Sequence, residues 1–419
     1  MTKTTRRTKQ MTSNDFRALL ESYIVPMFPG ASILRLRVPQ RTSQRNATLS
    51  NLQLIRVRWP GMSGRQFGLK RSQAFEATDA NLVDAIVGEW KHGEAMFGTT
   101  YFNDLANAAI RISITRIVAP DHWELIDSVI RRLEQWSDQT YEGRAIAAAF
   151  GIDTTRSARS GVDISELLTK KFGLVMAHGL ESFLTVSRNG RFIGYEAPQV
   201  NGETESVMAP LRFIPLAQWS SGGKVGLALT RNGEILVFKD QALVFARRRG
   251  AWRHFPHQAV VSRAQLNRAL RRNLVTATYT TALDVSFAKT GGGIGIIRKS
   301  KAKGFKRSRI LKPKDSPDSK SVKGRFLRRL THDYTFADLN RKLRLELLAI
   351  DGSTLISHEG KVLGAGAILK INAGSKGGGR EAAARTMGGF GLGIKISSDG
   401  EITGYTKREK EISELFTVG

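Results

Sequence analysis

Two short stretches near the C-terminus carry residue types and spacings that could do chemistry. The first is Asp351-Gly352-Ser353, a carboxylate on a turn just after the apolar run Leu347–Ile350. A carboxylate so placed could hold a divalent metal or take a proton from an attacking hydroxyl. The second is the glycine run Gly377-Gly378-Gly379, closed by Arg380 and followed by the helix-forming stretch EAAAR. Glycines without Cβ let backbone N–H groups point into one concavity. A helix starting at Glu381 would turn its unsatisfied N–H groups and positive dipole end to the same point. Arg380 adds a planar donor fork suited to phosphate oxygens. Together they read as an anion cradle. Spacing alone also allows a plain glycine-rich loop beside an ordinary DG turn.

The order of these pieces resembles the diadenylate cyclase domain, the nucleotide-binding domain of the DNA-integrity-scanning protein. A DG-(S/A) turn is followed by the glycine-flanked strand Gly366-Ala367-Ile368-Leu369. A Gly/Arg turn, an alanine-rich helix and the strand IKISSDGEI come next. Upstream, residues 263–297 read as a helix running into the glycine-marked apolar strand GGGIGII, similar to the helix and first strand of that domain. The resemblance covers about residues 262–419. It implies an α/β fold with a mixed-sheet nucleotide domain at the C-terminus. It also implies synthesis of cyclic di-AMP from two ATP molecules held by two facing domains, each 3′-hydroxyl attacking the other's α-phosphate. By the same resemblance Asp351 and Gly352 are catalytic, and Asp351 holds Mg2+ or Mn2+. Ser353 stands where the motif has alanine. Gly366 to Leu369 contact the base, Gly377 to Arg380 the phosphates, and the protein is a homo-oligomer.

One departure is plain. The family's Arg-His-Arg phosphate motif retains a single arginine here, Arg380. Aligned from the IKIS strand, Gly378 and Gly379 occupy the other two places; slid by two residues, Glu381 and Ala382 do. Losing one positioned donor typically costs ~100- to 1,000-fold in rate. Lys376 and Arg385 are the candidates to replace the lost donors, with solvated surface charge as their plainer reading.

Those pieces need elements to position them. The chain has 419 residues, enough for two or three domains, and 41% hydrophobic with 24% charged residues is a globular composition. There is no cysteine, which excludes disulfides, thiolate metal sites and cysteine nucleophiles. The basic start lacks the apolar core of a signal peptide, and no run approaches a bilayer span; the expectation is a cytoplasmic protein with no membrane partner.

The formal charge of +28, from 65 Lys and Arg against 37 Asp and Glu, favours anionic partners: ATP or another nucleotide, or nucleic acid. It concentrates between Arg298 and Leu330, with 14 Lys and Arg against 2 Asp. With Pro313, Pro317 and several serines, this reads as a solvated linker or insertion in the nucleotide domain. The sharper reading is an electrostatic arm for ATP or nucleic acid, although Phe305 and Phe326 are too isolated to stack bases.

Residues 1–160 are expected as an α/β sensor-like domain. A helix from about Asp15, capped by Ser13 or Asn14, carries Phe16, Leu19, Leu20 and Tyr23. The basic alternating stretches 33–38 and 52–59 are expected to pair as a hairpin. Helices follow near 79–92, 103–116 and 121–136. The main boundary is placed in the small, polar stretch 143–165. Residues 161–261 are expected as a β-rich connection. Asn189-Gly190 and Asn232-Gly233 each lie between apolar runs, which predicts two hairpins in one antiparallel sheet. The stretch 245–257, FARRRGAWRHFPH, is either a basic-aromatic nucleotide surface or an amphipathic strand packed on the nucleotide domain.

No histidine cluster has metal-site spacing. Three functions stay open: a divergent diadenylate cyclase under control of the N-terminal region, a catalytically degenerate nucleotide-binding sensor, and a basic nucleic-acid-binding protein.

Overall fold

A computed structural model describes residues 11–36, 45–60, 66–97, 102–169, 182–199, 204–370 and 378–419. The chain divides into two units. One comprises Met1–Pro198, Trp219–Asp240 and Val244–His254; the other comprises Gln199–Gln218, Gln241–Leu243 and Phe255–Gly419.

In the first unit the opening helix is Ser13–Leu19, and Thr12 is its cap. The Thr12 hydroxyl accepts from the Asp15 N–H while the Asp15 carboxylate accepts from the Thr12 N–H. A four-stranded sheet follows in the order Ser32–Leu36, Gln66–Lys70, Leu54–Arg58, Ala47–Asn51. The two basic strands are therefore not hairpin partners. Gln66–Lys70 lies between them, antiparallel to both. That strand buries Phe67 and Leu69 and completes the backbone pairing of both neighbours. The outward arginines bind local polar groups: Arg56 donates to Ser50 Oγ at 3.0 Å, and Arg58 to the Arg45 carbonyl at 3.0 Å.

Helices Ala77–Phe97, Phe102–Val118 and Trp123–Ser137 occupy the expected places. The last buries Ile126, Val129, Ile130, Leu133 and Trp136, the three- and four-residue spacing of one helical face.

Seven strands make the second sheet of this unit, in the order Ala251–His254, Ala242–Arg248, Ile235–Lys239, Lys224–Leu229, Ala148–Asp153, Phe183–Ser187, Phe192–Glu196. Both expected Asn-Gly hairpins form within it. The sheet is mixed, because Ala148–Asp153 enters between the hairpins and runs parallel to Phe183–Ser187. Phe245 and Trp252 are buried in the same core as Trp136 and Phe150, so they present no basic-aromatic surface. Their neighbours Arg247 and Arg248 pair with Glu134 and Glu234. His254 Nδ1 lies 3.0 Å from buried Asp79, which also takes a hydrogen bond from Arg71 at 3.1 Å.

The second unit carries the residues singled out for chemistry. From Arg272 onward its α-helices and strands in chain order are α1 (Arg272–Ala288), β1 (Gly292–Ile297), α2 (Ala302–Ser308), α3 (Val322–Thr331), α4 (Arg341–Ala349), β2 (Ser353–Ser357), β3 (Val362–Ala367), α5 (Gly378–Gly388), β4 (Gly391–Ile396), β5 (Ile402–Arg408) and β6 (Glu411–Val418). The sheet order is β3-β2-β1-β4-β5-β6. Only β1 and β2 are parallel; every other neighbouring pair is antiparallel. All six residues of β1 are buried, as in a strand covered on both faces. Its glycines serve one close approach: a Cβ on Gly295 would lie 2.5 Å from Met387 Sδ, so α5 packs directly on that face.

Arg341 at the start of α4 is buried. It donates to both oxygens of Asp284 on α1, at 2.7 and 2.8 Å, and to the Thr204 and Val207 carbonyls. Asp284 also accepts from the Leu211 N–H at 2.7 Å. This knot fastens residues 204–211 to α1 and α4. His257 is likewise structural, with Nδ1 2.9 Å from the Tyr279 hydroxyl and Nε2 2.6 Å from the Leu243 carbonyl.

The basic stretch 298–330 is not an open linker. It folds as α2, a short turn at Pro313–Asp315, and α3. Phe305 and Leu327 are its buried apolar anchors. Lys323 ties it down by donating to buried Asp315 at 2.7 Å and to the Gly366 carbonyl at 2.6 Å. Few anchors suffice because the charges stay outside while these two side chains enter the core.

Candidate functional site

The turn at Asp351 is built by mutual exclusion of side chains. Gly352 adopts φ +116, a conformation open to glycine, and a Cβ there would lie 2.6 Å from the Gly366 carbonyl carbon. Gly366 has φ +54 and faces the Asp351 carbonyl and the Ile350 side chain. The DGS turn and the end of β3 are thus pressed together, although about fifteen residues separate them in sequence.

Asp351 is exposed and stands two residues before the start of β2. Ser353 is buried, paired with Gly293 on one side and Ala367 on the other. Within the expected base-contacting stretch, Gly366, Ala367 and Leu369 are buried, whereas Ile368 is 63% exposed. Ile350 is exposed as well. An accessible carboxylate therefore lies between two accessible apolar side chains in sequence.

The helix expected from Glu381 begins at Gly378, so Gly378, Gly379 and Arg380 form its first turn. All three are exposed. Gly377 and Lys376 lie outside the described residues. Arg380 reaches back to the start of β1: its guanidinium donates to the Thr290 carbonyl at 3.4 Å and fills the space a side chain on Gly291 would take. Because β1 and β2 are parallel with Gly293 opposite Ser353, Gly291 and Asp351 each stand two residues before a paired position. Asp351, the β3 end and Arg380 therefore converge on one end of the sheet.

The residues flanking Arg380 do not restore the missing donors. Glu381 accepts from Arg385 at 2.8 Å and faces Lys395 at 3.4 Å. The Arg385 hydrogen bond, with support from Lys395 and against a smaller effect of burial, holds the Glu381 carboxyl below the usual carboxylate range. Arg385 also lies over the Tyr405 ring, 4.6 Å from its centroid. Its guanidinium is thus engaged by Glu381 while its side chain stays partly exposed.

Among the described residues no three His, Cys, Asp or Glu side chains gather to hold a metal. One exposed carboxylate, Asp351, fits a hard divalent cation that keeps waters and shares phosphate oxygens, because Mg2+ is commonly bound in that way. Sequence reasoning passed over two neighbours of this end. Ile350 looked like the end of an apolar run, and Thr290-Gly291 like the lead into a strand. The repeated glycines at 291–293 were the available signal for the second.

No family model matches the chain, and no curated protein matches it. Among solved structures, DacA from Staphylococcus aureus, crystallised as a double mutant, is similar at 13% identity over 34% of this chain and 87% of that chain, with a TM-score of 0.24. A likeness at that score carries no weight for fold or function. Among the described residues no helix is long and apolar enough to cross a membrane.

Proposed function

We propose that the second unit is a nucleotide-binding domain of diadenylate cyclase type, a divergent nucleotidyltransferase that makes a cyclic dinucleotide from ATP. The observation that carries this reading is the convergence of Asp351, the Gly366–Ala367 strand end and Arg380 at one end of the sheet. Asp351 accepts the proton of a ribose 3′-hydroxyl, whose oxygen bonds to the α-phosphorus of a second ATP. The bond from that phosphorus to the bridging oxygen breaks, and pyrophosphate leaves. A second such step closes the ring. Ile368 and Ile350 offer apolar surface to the base, and Arg380 with the first turn of α5 receives phosphate oxygens. Asp351 is the residue that would hold Mg2+ or Mn2+, which neutralises phosphate charge when bound. Each ATP must meet another, so the active form is a homo-oligomer. Residues 1–160 are the region that senses a signal. The test is mass identification of the products formed from ATP with Mg2+ or Mn2+.

A second reading has its own observation. Glu381 puts a carboxylate in the first turn of α5, and Arg385 is engaged by it, so phosphate charge is met by Arg380 with few allies. In this reading the domain binds nucleotide and reports it without turnover. A rise in melting temperature with ATP or cyclic di-AMP, with no product, distinguishes it.

A further inference from the structure

The folded basic segment encloses a cavity that the Asp351 region does not use. It has a volume of about 750 Å3 and opens between α2, the segment 309–318 and the far ends of β1 and β2. Ile297 and Ser357, the last residues of β1 and β2, line it. Asp351 stands at the other end of β2. Four residue steps, roughly 13 Å at the rise of a strand, separate Ser353 from Ser357.

The wall is of two kinds. Phe305, Leu311 and Leu363 give an apolar side. Lys306, Arg309, Lys312 and Lys370 surround it with positive charge, against the single carboxylate of Asp318. Other cations of the same segment are engaged in holding it together: Lys323 binds Asp315, and Arg328 binds the Pro317 carbonyl. The four at the cavity have no ion-pair partner among the described residues. Like charges gathered round a low-dielectric concavity repel one another and focus a positive potential into it. That arrangement is relieved by an anion. The apolar wall and the volume add a second requirement, since cavities of this size typically enclose most of a small organic ligand.

We infer that this cavity is a second ligand site, for a nucleotide-sized molecule that bears at least two phosphate charges and a flat apolar body. The phosphates face Lys306, Arg309, Lys312 and Lys370, and the flat body lies against Phe305, Leu311 and Leu363. The site is independent of Asp351 and of any turnover there.

Titration calorimetry on the full chain with ATP, in EDTA, tests this. Asp351→Asn in EDTA removes turnover and metal-assisted binding at the Asp351 end, and the cavity's share of the remaining binding is read from the cavity substitutions. Saturable ATP binding is expected in that background, and adding Lys306→Glu and Lys312→Glu weakens it at least tenfold. Lys370→Glu, from a separate segment, weakens it independently. Adding Lys303→Glu and Lys320→Glu makes the same charge change at exposed positions outside the cavity, and the expected effect is under threefold. Inorganic triphosphate and adenosine, each lacking one half of the ligand, are expected to bind at least tenfold more weakly than ATP. No saturable binding in the Asp351→Asn background would overturn the inference. So would equal losses in the cavity and control pairs, or triphosphate binding as tightly as ATP.

Discussion

Gly352 and Gly366 touch through their backbones: a Cβ added to Gly352 would lie 2.6 Å from the Gly366 carbonyl carbon. This contact fixes the direction of the Asp351 turn. Gly352→Ala introduces the clash and forces an alanine to hold the native φ of +116. Strained backbone of this kind costs roughly 1–3 kcal/mol before any clash is counted. Urea unfolding should show at least that loss. A change within about 0.5 kcal/mol, the size of an ordinary surface substitution, would show that the two glycines are not pressed together.

Ile368 is exposed and contributes little to the core, so Ile368→Ser should leave stability within about 0.5 kcal/mol. If it carries the base, nucleotide affinity falls by roughly tenfold, the value of about 1.4 kcal/mol of lost apolar contact. Calorimetry beside a melting curve separates the two effects. Unchanged affinity would remove Ile368 from the site.

Arg341 tests the frame rather than the site. Arg341→Met leaves Asp284 buried without its partner, and breaking a buried pair costs roughly 3–5 kcal/mol. The double variant Arg341→Met with Asp284→Leu should recover much of that loss, because it leaves no lone charge. Equal instability of single and double variants would mean that the remaining contacts of Arg341, to the Thr204, Val207 and Ala209 carbonyls, outweigh the charge pair.

The acid limb of stability should depend on Asp79. Burial opposes its charged form, but the His254 hydrogen bond, the charges of His254 and Arg71, and the Glu76 N–H together hold its carboxyl below the ordinary value of 3.8. A lowered pKa in the folded state stabilises the fold above the unfolded value. That contribution disappears as pH falls through the lower folded value. Asp79→Asn should therefore weaken the protein at neutral pH and flatten its loss of stability below about pH 4. An acid limb unchanged by the substitution would assign acid sensitivity to other groups.

Much of the fold was legible where local chemistry decides it. The Asn-Gly pairs at 189–190 and 232–233 dictate tight hairpins whatever surrounds them. The helix Trp123–Ser137 follows from the spacing of its buried face. Pairing between distant strands was not legible. Ser32–Leu36 and Leu54–Arg58 share a pattern, but nothing local says that Gln66–Lys70 will enter between them. The basic segment misled through composition, because two buried side chains, Phe305 and Leu327, anchor it under many charges. At the candidate site the glycines and Asp351 announced themselves, whereas Ile350 and the Arg380–Thr290 contact depend on tertiary approach.

The measurement that tests the central claim most directly is product identification. Purified protein is incubated with labelled ATP and Mg2+ or Mn2+ beside Asp351→Asn, and the products are identified by mass. The predicted result is a cyclic dinucleotide from the native chain that falls at least ~100-fold in the variant, the scale of losing one catalytic group. A cyclic dinucleotide formed equally by both proteins would contradict the role of Asp351. No product from a native chain whose ATP binding is lost in Arg380→Glu would favour the nucleotide-binding reading instead.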